Sequence, residues 1–167
     1  MRNYKLVLAT AGLIGIAAAQ SMAAMSKSDQ DFARKAAAGG MAEVSLGQLA
    51  QQNAGSAQVK DFGQKMVTDH GQANQELRQI AQQENLTLPG APDSKDQATE
   101  KRLSRLKGAA FDAAYTKDMV QDHAQDVADF KREAQSGQDP ALKAFARKTL
   151  PVLQQHLQMA QSVTAKQ

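Results

Sequence analysis

Apolar residues recur along most of the chain at spacings of three and four, the period of an amphipathic α-helix. The pattern predicts four long helices, namely A over 28–53, B over 56–85, C over 108–136 and D over 140–165. Ser28 and Ser56 are the predicted N-caps of helices A and B, and Gly55 and Gly137 follow the predicted ends of helices A and C. The sequence therefore predicts one all-α domain over 28–165.

The connections between these helices differ in length. The A–B and C–D connections span only a few residues, which predicts two antiparallel helix hairpins. Residues 86–107 join B to C and contain a Pro- and Gly-rich stretch, followed by Ser94 as the predicted cap of a short helix that extends to about Lys107. A connection of this length can run the full height of a bundle, which would make B and C parallel, as in a ferritin-like four-helix bundle with a long crossover. A simple up-down bundle with an ornamented loop is the alternative.

Each histidine of the chain falls inside an apolar stripe. The stripes are Val59, Phe62, Met66, His70, Ala73, Leu77 and Ile80 in B; Phe111, Tyr115, Met119, His123, Val127, Phe130 and Ala134 in C; Leu142, Phe145, Thr149, Val152 or Leu153, His156, Ala160 and Val163 in D; and Phe32, Ala36, Gly39 or Gly40, Glu43, Leu46 and Ala50 in A. The three histidines and Glu43 are therefore predicted to face the core. Their levels along the bundle span about five residues, or ~7.5 Å at the rise of an α-helix.

Four buried ionisable groups at one level need a physical explanation. Burying such a group without a partner costs several kcal/mol. Three imidazoles and one carboxylate suit Zn, Cu, Ni or Fe, so Glu43, His70, His123 and His156 form a candidate site for a divalent transition metal. The alternative is that the histidines are packed as neutral rings that pair with one another and with polar neighbours. The residues alone leave both interpretations open.

Residues next to the candidate site are interpreted as supporting rather than ligating. Asp69 and Asp122 precede two of the histidines, but adjacent helical residues point about 100° apart, so they are predicted to be solvated or to contact a ligand from outside. Met66 and Met119 are predicted to pack in the core. Helices A and B also contain destabilising glycines, which predict a close approach of the two helices: Gly39, Gly40, Gly47, Gly63 and Gly71.

The N-terminal segment differs from the rest of the chain. Arg2 and Lys5 precede an uncharged run over 6–19, and small residues follow up to Ala23. This layout predicts a cleavable signal peptide over 1–23 and a periplasmic location. Beyond it no apolar run reaches the roughly 20 residues needed to cross a bilayer. The chain has no Cys, which excludes disulfides, thiolate metal sites and lipidation at a cysteine.

The net charge and the absence of catalytic motifs argue against several classes of function. The net charge of +3 falls to nearly zero without the signal segment, which argues against a nucleic-acid partner. No nucleophile motif, phosphate-binding loop or His-Glu-x-x-His helix is found. The residues three before the histidines are Val67, Val120 and Leu153, whereas carboxylate di-iron bundles have Glu there. An enzymatic activity is therefore not predicted, and a protein partner or a homo-oligomer stays open.

The ordered motifs resemble a ferritin-like family of exported bacterial proteins, catalogued as a domain of unknown function and often labelled outer-membrane proteins. The resemblance covers about 28–161 and rests on Asp31-Phe32-Ala33, Gly40-Met41-Ala42-Glu43-Val44, Val59-Lys60-x-Phe62, Met66-Val67-x-Asp69-His70, Tyr115-x-x-x-Met119-Val120-x-Asp122-His123, Leu142-Lys143-x-Phe145-Ala146 and Thr149-Leu150-Pro151-x-Leu153-x-x-His156-Leu157. It implies the fold and a cell-envelope location, but no activity. The sequence thus predicts an exported bundle with a metal-handling or envelope-stress role, and the alternative is a structural or protein-interaction bundle.

Overall fold

The computed structural model describes residues 25–164, which form five α-helices. The helices are α1 (Lys27–Asn53), α2 (Ala57–Gln83), α3 (Ser94–Leu103), α4 (Gly108–Ser136) and α5 (Pro140–Thr164). Within this part of the chain there is no β-strand, and one isolated β-bridge joins Ala54 to Gly108. The prediction of an all-α protein is confirmed. The predicted signal segment 1–23 lies outside the described residues.

The helix ends follow ordinary capping chemistry, with two shifts from prediction. Ser56 caps α2 as predicted, since its side chain accepts a hydrogen bond from a backbone N–H three residues on. The prediction that Ser28 caps the first helix is wrong, because Ser26 does so and Ser28 lies in the first turn. The short helix begins at Ser94, but its N-cap is not Ser94 as predicted; it is Asp93, whose carboxylate accepts a hydrogen bond from a backbone N–H in the first turn. The helix ends at Leu103 rather than near Lys107.

The directions of the helices follow from contacts between them. The side chain of Asn53, the last residue of α1, donates a hydrogen bond to the carbonyl of Leu106, two residues before α4 begins. Near the opposite end of the pair, Lys35 of α1 binds Asp129 of α4. Helices α1 and α4 are therefore antiparallel. Since α1 is also antiparallel to α2 across a short turn, α2 and α4 run in the same direction.

Helices α2 and α5 also pack in opposite directions. Glu76, late in α2, binds Lys148 early in α5 at 2.7 Å, and Asp69 in the middle of α2 meets His156 further along α5. The short α3 contacts α1 and α4, and its Leu103 is fully buried. The long connection between α2 and α4 therefore lies against the α1–α4 side of the protein.

Two hydrophobic clusters fill the interior. One contains Leu46, Ala50, Val59, Phe62, Met66, Leu103, Phe111, Tyr115, Met119 and Ala160, and the other contains Ala33, Ala37, Leu77, Ile80, Phe130, Leu142, Phe145, Ala146 and Leu153. Along each long helix the two clusters are separated by the level at which Glu43, His70, His123 or His156 lies. The candidate site is therefore a polar layer between two apolar halves of the core. Met66 and Met119 pack in the first half, as predicted.

The inner face of α1 differs from the prediction near its start. Phe32 and Ala36 are only partly buried, whereas Ala33 and Ala37 lie inside. The buried face is thus rotated by one residue, because small alanines allow close helix packing. The larger Phe32 ring packs edge-on against Phe130, with ring centroids 5.0 Å apart.

None of the described helices combines the length and the apolar character needed to cross a membrane.

Candidate metal centre

The four predicted site residues lie together at the centre of the protein, one on each long helix. Glu43 comes from α1, His70 from α2, His123 from α4 and His156 from α5, and all four are buried. The His70 and His123 ring centroids are 5.6 Å apart, and each lies 5.3 Å from the His156 ring. One nitrogen from each ring lies within 4.8 Å of the others. The expected convergence of these side chains is thus observed.

The carboxylate of Glu43 contacts two of the three histidines. Its Oε2 atom lies 3.3 Å from Nε2 of His123 and is still closer to Nε2 of His70. The Glu43 side chain is fully buried. A carboxylate in this position can complete a set of nitrogen ligands from three imidazoles.

Hydrogen bonds outside the cluster fix the orientation of two of the rings. Nδ1 of His123 lies 3.0 Å from the Met119 carbonyl and donates to it, which leaves the lone pair on Nε2. Nε2 of His156 lies 2.7 Å from Asp69 Oδ2 and donates to it, which leaves the lone pair on Nδ1. Carbonyl and carboxylate partners of this kind typically orient histidines that ligate metals. Asp69 is therefore a positioning residue, but for His156 rather than for its neighbour His70.

The lone-pair atoms have no other hydrogen-bond partner. The buried atoms without one include Nε2 of His70 and His123, Nδ1 of His156 and both carboxylate oxygens of Glu43. Most buried polar atoms in proteins are hydrogen-bonded, and each exception costs free energy. Leaving these atoms unpaired at one place lowers the stability of the folded state, and a cation bound to them would remove this penalty.

The histidines are neutral at physiological pH. Burial and, to a smaller extent, the neighbouring His70 and His156 lower the pKa of His123 to about 3. Burial also lowers the pKa of His156 to about 4, against the opposing hydrogen bond from Asp69. The pKa of His70 is likewise lowered by burial. Neutral imidazole is the form that ligates metals, so these rings need no deprotonation at pH 7.

Glu43 behaves in the opposite way because it is an acid. Burial and the nearby Asp122 carboxylate raise the pKa of Glu43 well above its usual value. Burial thus favours the neutral form of Glu43, whereas a cation bound beside it would favour release of the proton.

A further acidic residue at the centre is missed by the apolar-stripe analysis. Glu43, Asp122 and Asp126 form a second group whose ligand atoms lie within 4.8 Å of one another. Asp122 thus faces this centre rather than being a solvated flank. Asp126 has a sequence signal of its own, since it lies three residues after His123 and four after Asp122 on the same side of α4.

Comparisons with known proteins agree on the fold and assign no chemistry. A family model described as "Domain of unknown function (DUF4142)" matches residues 15–163. Among solved structures, the chain is similar to the crystal structure of a DUF305 fragment from Deinococcus radiodurans, with a TM-score of 0.75 and 12% sequence identity. That match covers 87% of this chain and 100% of the fragment. No curated protein matches the chain.

Proposed function

The chain belongs to the DUF4142 family, whose description assigns no activity, and we propose on that premise that its buried centre binds a transition metal ion. The ligands in this proposal are His70, His123 and His156, with Glu43 as the fourth. The observation that carries the proposal is that their lone-pair atoms converge without other hydrogen-bond partners. Zn, Cu, Ni and Fe are the metals that suit this donor set.

The arrangement favours metal binding over simple packing for a physical reason. Histidines that only pack as neutral rings satisfy their ring nitrogens with hydrogen bonds. Here the outward nitrogens of His123 and His156 have such partners, whereas the inward ones do not. A structural or protein-interaction bundle gains no stability from this pattern.

The proposal extends to the fold and the location of the protein. A ferritin-like four-helix bundle with a long crossover is supported by the parallel directions of α2 and α4 and by the position of α3 in the connection. A periplasmic location is supported by the signal-like pattern over 1–23. In that compartment the centre would serve metal handling or the response to envelope stress.

Thermal melts of untagged, chelator-treated protein test metal binding. An ion that binds only the folded state raises its free energy of unfolding, by about 2.7 kcal/mol at a concentration 100 times Kd. We expect at least one of Zn²⁺, Cu²⁺, Ni²⁺ and Fe²⁺ to raise the Tm, and elemental analysis to find the same metal in protein purified without a tag.

Two variants make the test specific. His123→Leu removes one ligand while keeping an apolar side chain in the core, so it should abolish the metal-dependent shift in Tm. Asn74→Leu is the matched control, because Asn74 is a buried polar residue one turn beyond His70 on α2. Its metal-dependent shift should equal that of the wild type. An unchanged Tm of the wild type with all four ions, or a full shift in His123→Leu, would contradict the proposal.

A further inference from the structure

A group of carboxylates lies directly beside the three histidines. We call Glu43, Asp122 and Asp126 the carboxylate triad. Asp122 and Asp126 are one helical turn apart on α4 and so project from the same side of that helix, and Glu43 approaches them from α1. Three carboxylates this close repel one another unless protons or a cation neutralise them. The neutral histidines supply no positive charge to the triad, so its repulsion is removed by protons or, in their place, by a bound cation.

Glu43 provides an independent sign of a ligand. It is fully buried, and neither of its oxygens has a hydrogen-bond partner outside the histidines and the triad. Its Oε2 atom faces His70 and His123, while its carboxylate also belongs to the triad. A carboxylate has two oxygens and can bind one cation with each. Glu43 is thus positioned to contact two ions at once.

A cleft connects the triad to solvent. It has a volume of about 480 Å³, lies between α1, α3 and α4, and is lined by Asp122 and Asp126. Asp93 and Asp96 of the α3 region lie on its wall, and burial together with Asp93 raises the pKa of Asp96 to about 6. An acidic path of this kind attracts cations.

Two of the three basic side chains that line the cleft, those of Arg34 and Lys35, have partners elsewhere. Lys35 binds Asp129, and Arg34 donates hydrogen bonds to the Thr87 carbonyl and to Gln30. Neither side chain neutralises the triad through a direct ion pair.

We propose that the carboxylate triad is a second cation site, which binds an oxygen-preferring divalent ion of the Mn²⁺ class beside the three-histidine site. Carboxylates suit Mn²⁺, whereas imidazoles suit Zn²⁺ and Cu²⁺, so the two halves of the centre select different ions. Glu43 bridges them. The inference extends the proposed function through this shared residue, but the ligands Asp122 and Asp126 belong to the second site alone.

Binding of Mn²⁺ to untagged, metal-free protein, followed by electron paramagnetic resonance, tests the second site. The wild type should immobilise Mn²⁺ both alone and after loading with Zn²⁺. Asp126→Asn should weaken Mn²⁺ binding by at least about tenfold and leave Zn²⁺ binding in place. Asp129→Asn is the matched control, since Asp129 lies on the same helix but binds Lys35 outside the triad. It should bind both ions like the wild type.

A variant on the other side of the centre separates the two proposals. His156→Gln should lose Zn²⁺ binding and keep Mn²⁺ binding. If Mn²⁺ binding is lost in His156→Gln but unchanged in Asp126→Asn, Mn²⁺ occupies the histidine site and the second site is refuted, while the proposed function stands. If none of Zn²⁺, Cu²⁺, Ni²⁺ and Fe²⁺ binds the wild type but Asp126→Asn weakens Mn²⁺ binding, the proposed function fails and the second site stands. Should Asp126→Asn fail to fold, Asp122→Asn takes its place with the same expected outcomes.

Discussion

Glu133 shows how burial alone changes the chemistry of a single residue. It lies near the end of α4, is only 4% exposed, and its Oε1 atom has no hydrogen-bond partner. Burial, with smaller contributions from the negative charges of Asp29 and Asp139 and against the charge of Lys143, raises the pKa of Glu133 to about 7. Glu133 lies near the C-terminal end of α4, whereas His123 lies in the middle of that helix.

This shift predicts a pH-dependent stability. A carboxyl group whose pKa is raised in the folded state binds its proton more tightly there than in the unfolded chain, so it favours folding below its ordinary pKa. That contribution is lost as the pH rises from about 4.5 to about 7. Glu133→Gln mimics the neutral form, so its free energy of unfolding should exceed that of the wild type by about 1–2 kcal/mol at pH 8 and match it near pH 4.

Urea unfolding of the two proteins at both pH values measures this difference. The matched control is Glu76→Gln, since Glu76 is more exposed and binds Lys148 at the surface. Glu76→Gln removes an ion pair rather than a buried charge, so its free energy of unfolding should not exceed that of the wild type at pH 8. A constant difference for Glu133→Gln between pH 4 and pH 8 would show that Glu133 titrates normally.

The apolar periodicity of the helices identifies some residues of the site and misses others. Glu43 and the histidines are identifiable because each replaces an apolar residue at a helical spacing. Asp126 is missed because Val127, its neighbour, continues the apolar stripe of helix C. Its proximity to Glu43 depends on how α1 and α4 face each other, and the period of one helix carries no information about that. The ring orientations set by Met119 and Asp69 depend on tertiary contacts as well.

At the scale of helices, glycines set the distance between α1 and α2. A Cβ atom added to Gly47 would lie 2.6 Å from the Gly63 carbonyl oxygen, and one added to Gly63 would lie 2.7 Å from Ala50 Cβ. These contacts are shorter than atoms tolerate, so the backbones approach where only glycine fits. Gly39 and Gly71 have open space instead. The predicted close approach is therefore observed at some of the glycines and not at others.

The contrast between these positions predicts opposite effects of one substitution. Gly47→Ala and Gly63→Ala should each destabilise the protein by about 1–3 kcal/mol, because α1 and α2 must separate to admit the methyl group. Gly71→Ala lies on the same helix as Gly63 and should stabilise it by up to about 1 kcal/mol, since alanine is the better helix former. Chemical denaturation measures all three. Equal effects at Gly63 and Gly71 would contradict the close approach.

For the whole molecule, two buried aspartates join the helix hairpins at opposite ends. At one end Asp29 of α1 accepts hydrogen bonds from backbone N–H groups of the α4–α5 loop, the shortest at 2.8 Å. At the other end Asp112 of α4 accepts from two backbone N–H groups of the α1–α2 turn at 2.8 and 3.0 Å. Each hairpin thus supplies a carboxylate to the turn of the other. The polar centre lies between these two attachments, so they hold the halves that carry Glu43 and His123 at a fixed distance.

Removing either carboxylate should therefore destabilise the whole fold. Asp29→Ala and Asp112→Ala each leave two partly buried backbone N–H groups without their acceptor, which should lower the free energy of unfolding by about 1–3 kcal/mol. Because the two residues lie far apart and share no partner, the losses in the double variant should add within about 0.5 kcal/mol. Asp61→Ala is the control, since Asp61 is exposed on α2, and it should change stability by less than about 0.5 kcal/mol. Urea unfolding measures all four variants, and single losses no larger than that of Asp61→Ala would mean that the hairpins are held together by apolar packing alone.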